Sequence, residues 1–247
     1  MKRFIVNLML YMMAIGLIIT GCRASLKTES SPPADTAEHI ARAYGIDQFE
    51  KIDAVRYTFN VQVKSRQIRR AWVWEPDSDR ITYSVQKKGD EKVSRTYLRS
   101  RIKAGAPEDL VEIDRRFIND QYWLLYPFHL KWDSDIRLTF ETQQPLPIPP
   151  GKADRLVIHY PPVIGYTPGD ACELYVDQDY RIKQWVYRKA GAPTPTRAAT
   201  WENHARVGPL VLSLDRHGPG DTFRVWFTDV AVKLKNSDEW IKPVPFE

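Results

Sequence analysis

From Ala54 onward apolar and polar residues alternate. Val55, Tyr57, Phe59, Val61 and Val63 fall on one set of positions, and Arg56, Thr58, Asn60, Gln62 and Lys64 on the other. A period of two sends the two sets to opposite faces, so the segment predicts a half-buried β-strand. The same period returns in residues 68–74, 80–86 and 92–98. Pro76-Asp77-Ser78-Asp79 and Lys87-Lys88-Gly89-Asp90 are turn residues between them, which makes a meander. A second meander follows. It takes in Leu156, Ile158 and Tyr160, a hairpin of 172–177 with 181–189 around Gln178-Asp179-Tyr180, and then 198–207, 210–214 and 222–234. In the last segment apolar residues sit at 223, 225 and 227, then at 230, 232 and 234. That change of phase predicts a β-bulge at Thr228-Asp229.

Two stretches break the alternation. Ile40 and Tyr44 are four apart, with Asp35 or Thr36 placed to cap a short helix and Gly45 to stop it. Leu110, Ile113 and Phe117 mark a helix within 107–119, with Glu108 and Asp109 suited to its N-terminus. Tyr122-Trp123-Leu124-Leu125-Tyr126, closed by Pro127, returns to an aromatic run. Trp123, Trp185, Trp201 and Trp226 are read as strand residues, and 142–152 as a Pro-rich loop. The total is ten or eleven strands and two short helices. Hairpin-length connections make the sheet antiparallel. So many strands must curl or split into two sheets, with the helices covering the concave side. The fold class is therefore mainly β, a strongly curved antiparallel sheet with short covering helices.

The N-terminus is of a different kind. Lys2 and Arg3 precede an uncharged, apolar run from Phe4 to Thr20, followed by Gly21 and Cys22. This is the layout of a secretory signal, and the run is at the short limit for a spanning helix. Ile19-Thr20-Gly21-Cys22 resembles the bacterial lipobox, which implies acylation of Cys22. The expected organisation is a signal over 1–21, a flexible tether over 22–35 and one domain over 36–247. The polar 23–35 stretch carries Ser30-Ser31-Pro32-Pro33, as a tether would. With Cys22 acylated, Cys172 has no partner for an intramolecular disulfide and reads as a buried small hydrophobe. Arg23, rather than Asp, follows the cysteine. That points to the outer membrane, facing the periplasm.

The order of signal, helix, long first strand, meander, helix, second meander and aromatic late strand resembles the LolA/LolB-like superfamily of envelope lipoprotein carriers. The run Asn119-Asp120-Gln121-Tyr122-Trp123-Leu124-Leu125-Tyr126-Pro127-Phe128 is similar to the signature of an uncharacterised lipoprotein group within it. Gly165-Tyr166-Thr167-Pro168-Gly169-Asp170 and Leu174-Tyr175-Val176-Asp177 are similar to that group too. The resemblance implies a half-open β-barrel whose apolar concave face is lidded by helices and accommodates acyl chains. Carrier activity does not come with the fold.

Composition adds little chemistry. The 247 residues carry a net charge of +5 and are 12% aromatic, with 8 Trp. Residues 61–103 hold 12 Lys or Arg against 5 Asp or Glu. That segment suits either a solvated sheet face or anionic head groups. The five histidines form no HxH or HExxH spacing, and no GxSxG, P-loop or GxGxxG occurs. Asp77 with Asp79, and Asp133 with Asp135, are turn residues. No catalytic residue, metal or cofactor is expected, and no nucleic-acid partner. Trp72 and Trp74 share a strand face. With Tyr57, Phe59, Trp123 and Tyr126 they are the candidate ligand-binding residues, and an indole that lines a cavity should be only partly covered. The expected function is a monomeric, lipid-anchored envelope protein that binds an amphiphile, lipid or acylated partner. The alternative is a structural lipoprotein with a closed core.

Overall fold

The computed structural model describes residues 32–86, 92–103, 105–163 and 168–246. The lipobox with Cys22, the signal, the turn at 87–90 and Gly165-Tyr166-Thr167 lie outside the described residues. Helix α1 (Pro32–Ala43) leads into β1 (Ile52–Val63), β2 (Arg66–Glu75), β3 (Arg80–Gln86) and β4 (Lys92–Leu98). Helix α2 (Glu108–Trp132) separates this meander from β5 (Arg137–Pro145), β6 (Lys152–His159), β7 (Ala171–Val176) and β8 (Ile182–Arg188). Then come β9 (Arg197–Thr200), β10 (Glu202–Val207), β11 (Leu210–His217) and β12 (Phe223–Leu234). Two short strands, β13 (Trp240–Ile241) and β14 (Val244–Pro245), follow.

One sheet has the order β14-β10-β11-β12-β1-β2-β3-β4, and the other β5-β6-β7-β8-β9. Trp201 alone separates β9 from β10. Its backbone N–H donates to Lys183 O at 2.9 Å on one side, and Thr200 Oγ1 accepts from His217 N at 2.8 Å on the other. β9 and β10 are thus one strand bent at Trp201, lying between β8 and β11 and linking the two sheets. Among the described residues strands β4 and β5 each pair on one side only, so the sheets do not close. The architecture is the mainly antiparallel, half-open curved sheet expected from the strand pattern.

The bulge is where the phase change puts it. Arg56 pairs with Ala231, but Thr58 pairs with Thr228, so β12 carries one extra residue there. Asp229 takes a left-handed φ of 53° and accepts from Thr58 Oγ1 at 2.9 Å and Arg69 Nη2 at 3.2 Å. Alternation holds at Val55, Tyr57 and Phe59, all buried. Thr58 and Asn60 are buried as well, each bonded to β12: Thr58 to Asp229, and Asn60 Nδ2 to Trp226 O at 3.2 Å. Toward the end of β1, Val61 is half-buried and Val63 exposed.

The helices depart most from expectation. The second is 25 residues long, not short, and continues through the segment read as strand, so Trp123 is helical. Phe117, Gln121, Leu124 and Phe128 are buried at spacings of three and four, a stripe hidden within the aromatic run. Pro127 removes one backbone donor, and the distortion shows at Leu125, with φ −110° and ψ 19°. Trp201 likewise sits at a strand junction. α1 starts at Pro32, so Thr36 lies inside it, donating to Pro32 O at 2.8 Å instead of capping. Gly45 does end the turn: its φ is 95°, and a Cβ there would meet Pro209 O at 2.7 Å. Next to it Tyr44 accepts from Ile182 N at 3.0 Å and donates to His204 Nε2 at 2.7 Å. Burial pushes the His204 imidazole down to about 4, so at neutral pH it is uncharged and can accept that bond.

Candidate functional site

Strand register stacks side chains in layers on the concave face. Val63 pairs with Phe223, Val61 with Val225 and Phe59 with Phe227. On the facing wall Tyr187 pairs with Arg197 and Trp185 with Ala199. Helix α2 crosses over these layers. Its Phe117 ring lies 5.4 Å from Trp72, and its Trp123 ring 4.7 Å from Trp185. Tyr126 Oη is 3.1 Å from Tyr160 Oη.

Helix and sheet leave a cavity of about 640 Å³ between them, lined by Phe59, Val61, Ile68, Tyr122, Trp123, Tyr126, Trp185, Trp201 and Val225. Its volume and apolar lining fit a small-molecule site, typically about 300–1,000 Å³. Cys172 is in the wall. Burial pushes its thiol up to about 12, so it stays protonated and is inert as a nucleophile.

Polar groups enter at defined points. Arg70, from β2, lines the cavity and forks both Asp120 oxygens at 2.6 Å, with its guanidinium 4.9 Å over the Phe59 ring. Asp120 is fully buried and also accepts from Trp72 Nε1 at 2.9 Å and Asn119 Nδ2 at 3.0 Å. Burial raises its carboxyl above the usual carboxylate range, and those three partners pull the other way. Arg115 of α2 and Arg197 of β9 line the cavity from exposed positions.

Behind the lining lies a buried arginine. Arg216 is 0% exposed, pairs with Val225 across β11 and β12, and stacks 3.7 Å over Trp201 and 5.3 Å over Phe227. Its Nη1 donates to Ser213 O at 2.8 Å, while Nε and Nη2 have no partner among the described residues. Burial pushes its guanidinium down to about 9.

The structure divides the residues singled out from sequence. Phe59, Trp123 and Tyr126 line the cavity. Tyr57 and Trp72 border a separate hollow of about 890 Å³ walled by Arg69, Thr82, Ser84 and Asp229. Trp72 is 1% exposed, not the partly covered indole expected of a cavity lining, because Tyr83, Phe117 and Asp120 enclose it. Trp74 packs outside the cavity, 5.9 Å from Phe49 and 6.1 Å from Trp132. Sequence reasoning missed Arg70, Arg115, Arg197 and Arg216, and it did not choose Asp120, Trp185 or Trp201 as ligand-binding. Arg216 was signalled by phase alone, since it follows Leu210, Leu212 and Leu214 at spacing two.

No family model and no curated protein matches the chain. Among solved structures it is similar to a DUF1329 family protein from Desulfovibrio piger. The identity is 10% and the TM-score 0.45, over 85% of this chain and 96% of that one. It is also similar to a domain described as an outer membrane lipoprotein-sorting protein, from Vibrio parahaemolyticus. There the identity is 11% and the TM-score 0.45, over 83% of this chain and 94% of that one.

Proposed function

We propose that this is a lipid-anchored envelope protein that binds an amphiphile, lipid or acylated partner between α2 and the concave sheet, without catalysing a reaction. The cavity carries the reading. Aromatic and aliphatic side chains from β1, β8, β12 and α2 converge on about 640 Å³ of space where a plain core would be filled. The test is binding of the neutral apolar fluorophore N-phenyl-1-naphthylamine to the purified domain. Micromolar-scale affinity is expected, about −8 kcal/mol. Trp123→Ala, which removes a wall, should weaken binding about tenfold or more, with the loss exceeding any change in melting temperature. A wild-type protein that binds no probe would leave the closed-core scaffold as the better reading.

The anchor rests on the lipobox resemblance at Cys22. A Cys22→Ala protein is expected to escape acyl labelling and to move from the detergent phase to the aqueous phase. Two or three acyl chains, at about 0.8 kcal/mol per buried methylene, supply the whole difference. Normal labelling of the variant would remove the assignment.

A further inference from the structure

We propose that the cavity takes an acidic amphiphile, with its carboxylate or phosphate held at the mouth by Arg115 and Arg197 and its chain laid among the aromatic side chains below. This deepens the binding reading and rests on it.

The charge at the mouth is one-sided. Three arginines line the cavity, and among the described residues no aspartate or glutamate does. Arg70 is neutralised by its two bonds to Asp120. Arg115 and Arg197 have no carboxylate partner among the described residues. They come from different elements, the helix that covers the cavity and the strand that forms part of its far wall, and both are exposed.

Arg197 is also positioned. Its guanidinium lies 4.9 Å over the Phe223 ring, and Phe223 pairs with Val63 in the outermost layer of the concave face. Among the described residues the guanidinium makes no ion pair, so beside this ring its N–H groups remain to grip carboxylate or phosphate oxygens. Deeper layers offer Val61 with Val225, and then Phe59, with Trp201 also in the lining. Polarity therefore falls from the mouth inward, as in an amphiphile with a charged head and an apolar tail. Arg216 does not compete for the head group, because it lies behind Trp201 and contributes no surface to the cavity.

The experiment is displacement of N-phenyl-1-naphthylamine by three ligands of one chain length: dodecanoate, dodecyl phosphate and dodecanol. At least one acid should displace the probe at about tenfold lower concentration than the alcohol, equivalent to about 1.4 kcal/mol. The stronger of the two identifies a carboxylate or a phosphate source. In the Arg115→Gln/Arg197→Gln double variant the gap between acid and alcohol should fall below about threefold. Raising salt from about 0.02 to about 0.5 M should narrow the gap in the wild type, which keeps a readout if the variant does not fold. If the probe binds and dodecanol displaces it as well as either acid, the head-group assignment is overturned and the cavity reading survives. If the probe does not bind the wild type, both fall.

Discussion

Asp120→Ala is expected to lower the free energy of unfolding by about 3–5 kcal/mol, the cost of breaking a buried ion pair from one side. Arg70 would keep its charge with two donors unmatched, and Trp72 Nε1 would lose the acceptor at 2.9 Å. Arg70 is the more accessible partner, with its side chain 12% exposed against 0% for Asp120. Part of its charge can turn to water, which sets the lower end of the range. Asp120→Asn keeps an acceptor for the indole and should cost less. The double variant Arg70→Met/Asp120→Leu removes both charges from an apolar setting and should recover most of the loss. Urea denaturation of the four proteins decides the matter. Equal midpoints for Asp120→Ala and wild type would mean that the pair is decoration on a fold held by Trp72, Phe117 and Tyr83 alone.

That pair also shows how much of the site was legible in the sequence. Strand order, the bulge at Thr228-Asp229 and the burial of Val55, Tyr57 and Phe59 all follow from a period of two. That period is a local property of the chain. Helix α2 was half-read, because its second half carries the stripe Gln121, Leu124 and Phe128 under an aromatic run that mimics a strand, and contains Pro127. Tertiary burial outweighed the local signal there. The cavity was legible only in its apolar part. Phe59, Trp123 and Tyr126 belong to it, but Trp72 is on a strand two residues beyond Arg70 and is enclosed by Tyr83 and Phe117. Which indole meets a void and which meets a ring depends on where a helix crosses, and no spacing within β2 records that. The polar members were illegible for the same reason. Arg70 and Asp120 are 50 residues apart, and Arg115 and Arg197 sit on different elements; only the fold makes pairs or facing walls of them.

Arg216→Met should make the protein more stable, against the usual direction for a core substitution. The guanidinium is wholly buried, has no ion-pair partner among the described residues, and makes one short bond, to Ser213 O. Its pKa falls to about 9, first through desolvation. At about 1.4 kcal/mol per tenfold change in proton affinity, that fall amounts to about 4–5 kcal/mol against the charged form. Stacking on Trp201 and Phe227 returns about 2 kcal/mol. The balance predicts a gain of about 2–3 kcal/mol for methionine, which fills similar space without the charge. Alanine at the same position would open a hole, at about 2–5 kcal/mol, and should show no gain. The pH dependence has a definite sign. Above about 9 the folded chain releases a proton that the unfolded chain still holds, so the wild type recovers stability as pH rises. Below about 9 the burial cost is complete and flat. The advantage of Arg216→Met should therefore be full at pH 7 and smaller at pH 10, read from chemical denaturation of both proteins at the two values. If methionine loses as much as alanine, the stack on Trp201 outweighs the burial of the charge. Arg216 would then be a clamp that holds the bent strand at Trp201 in place.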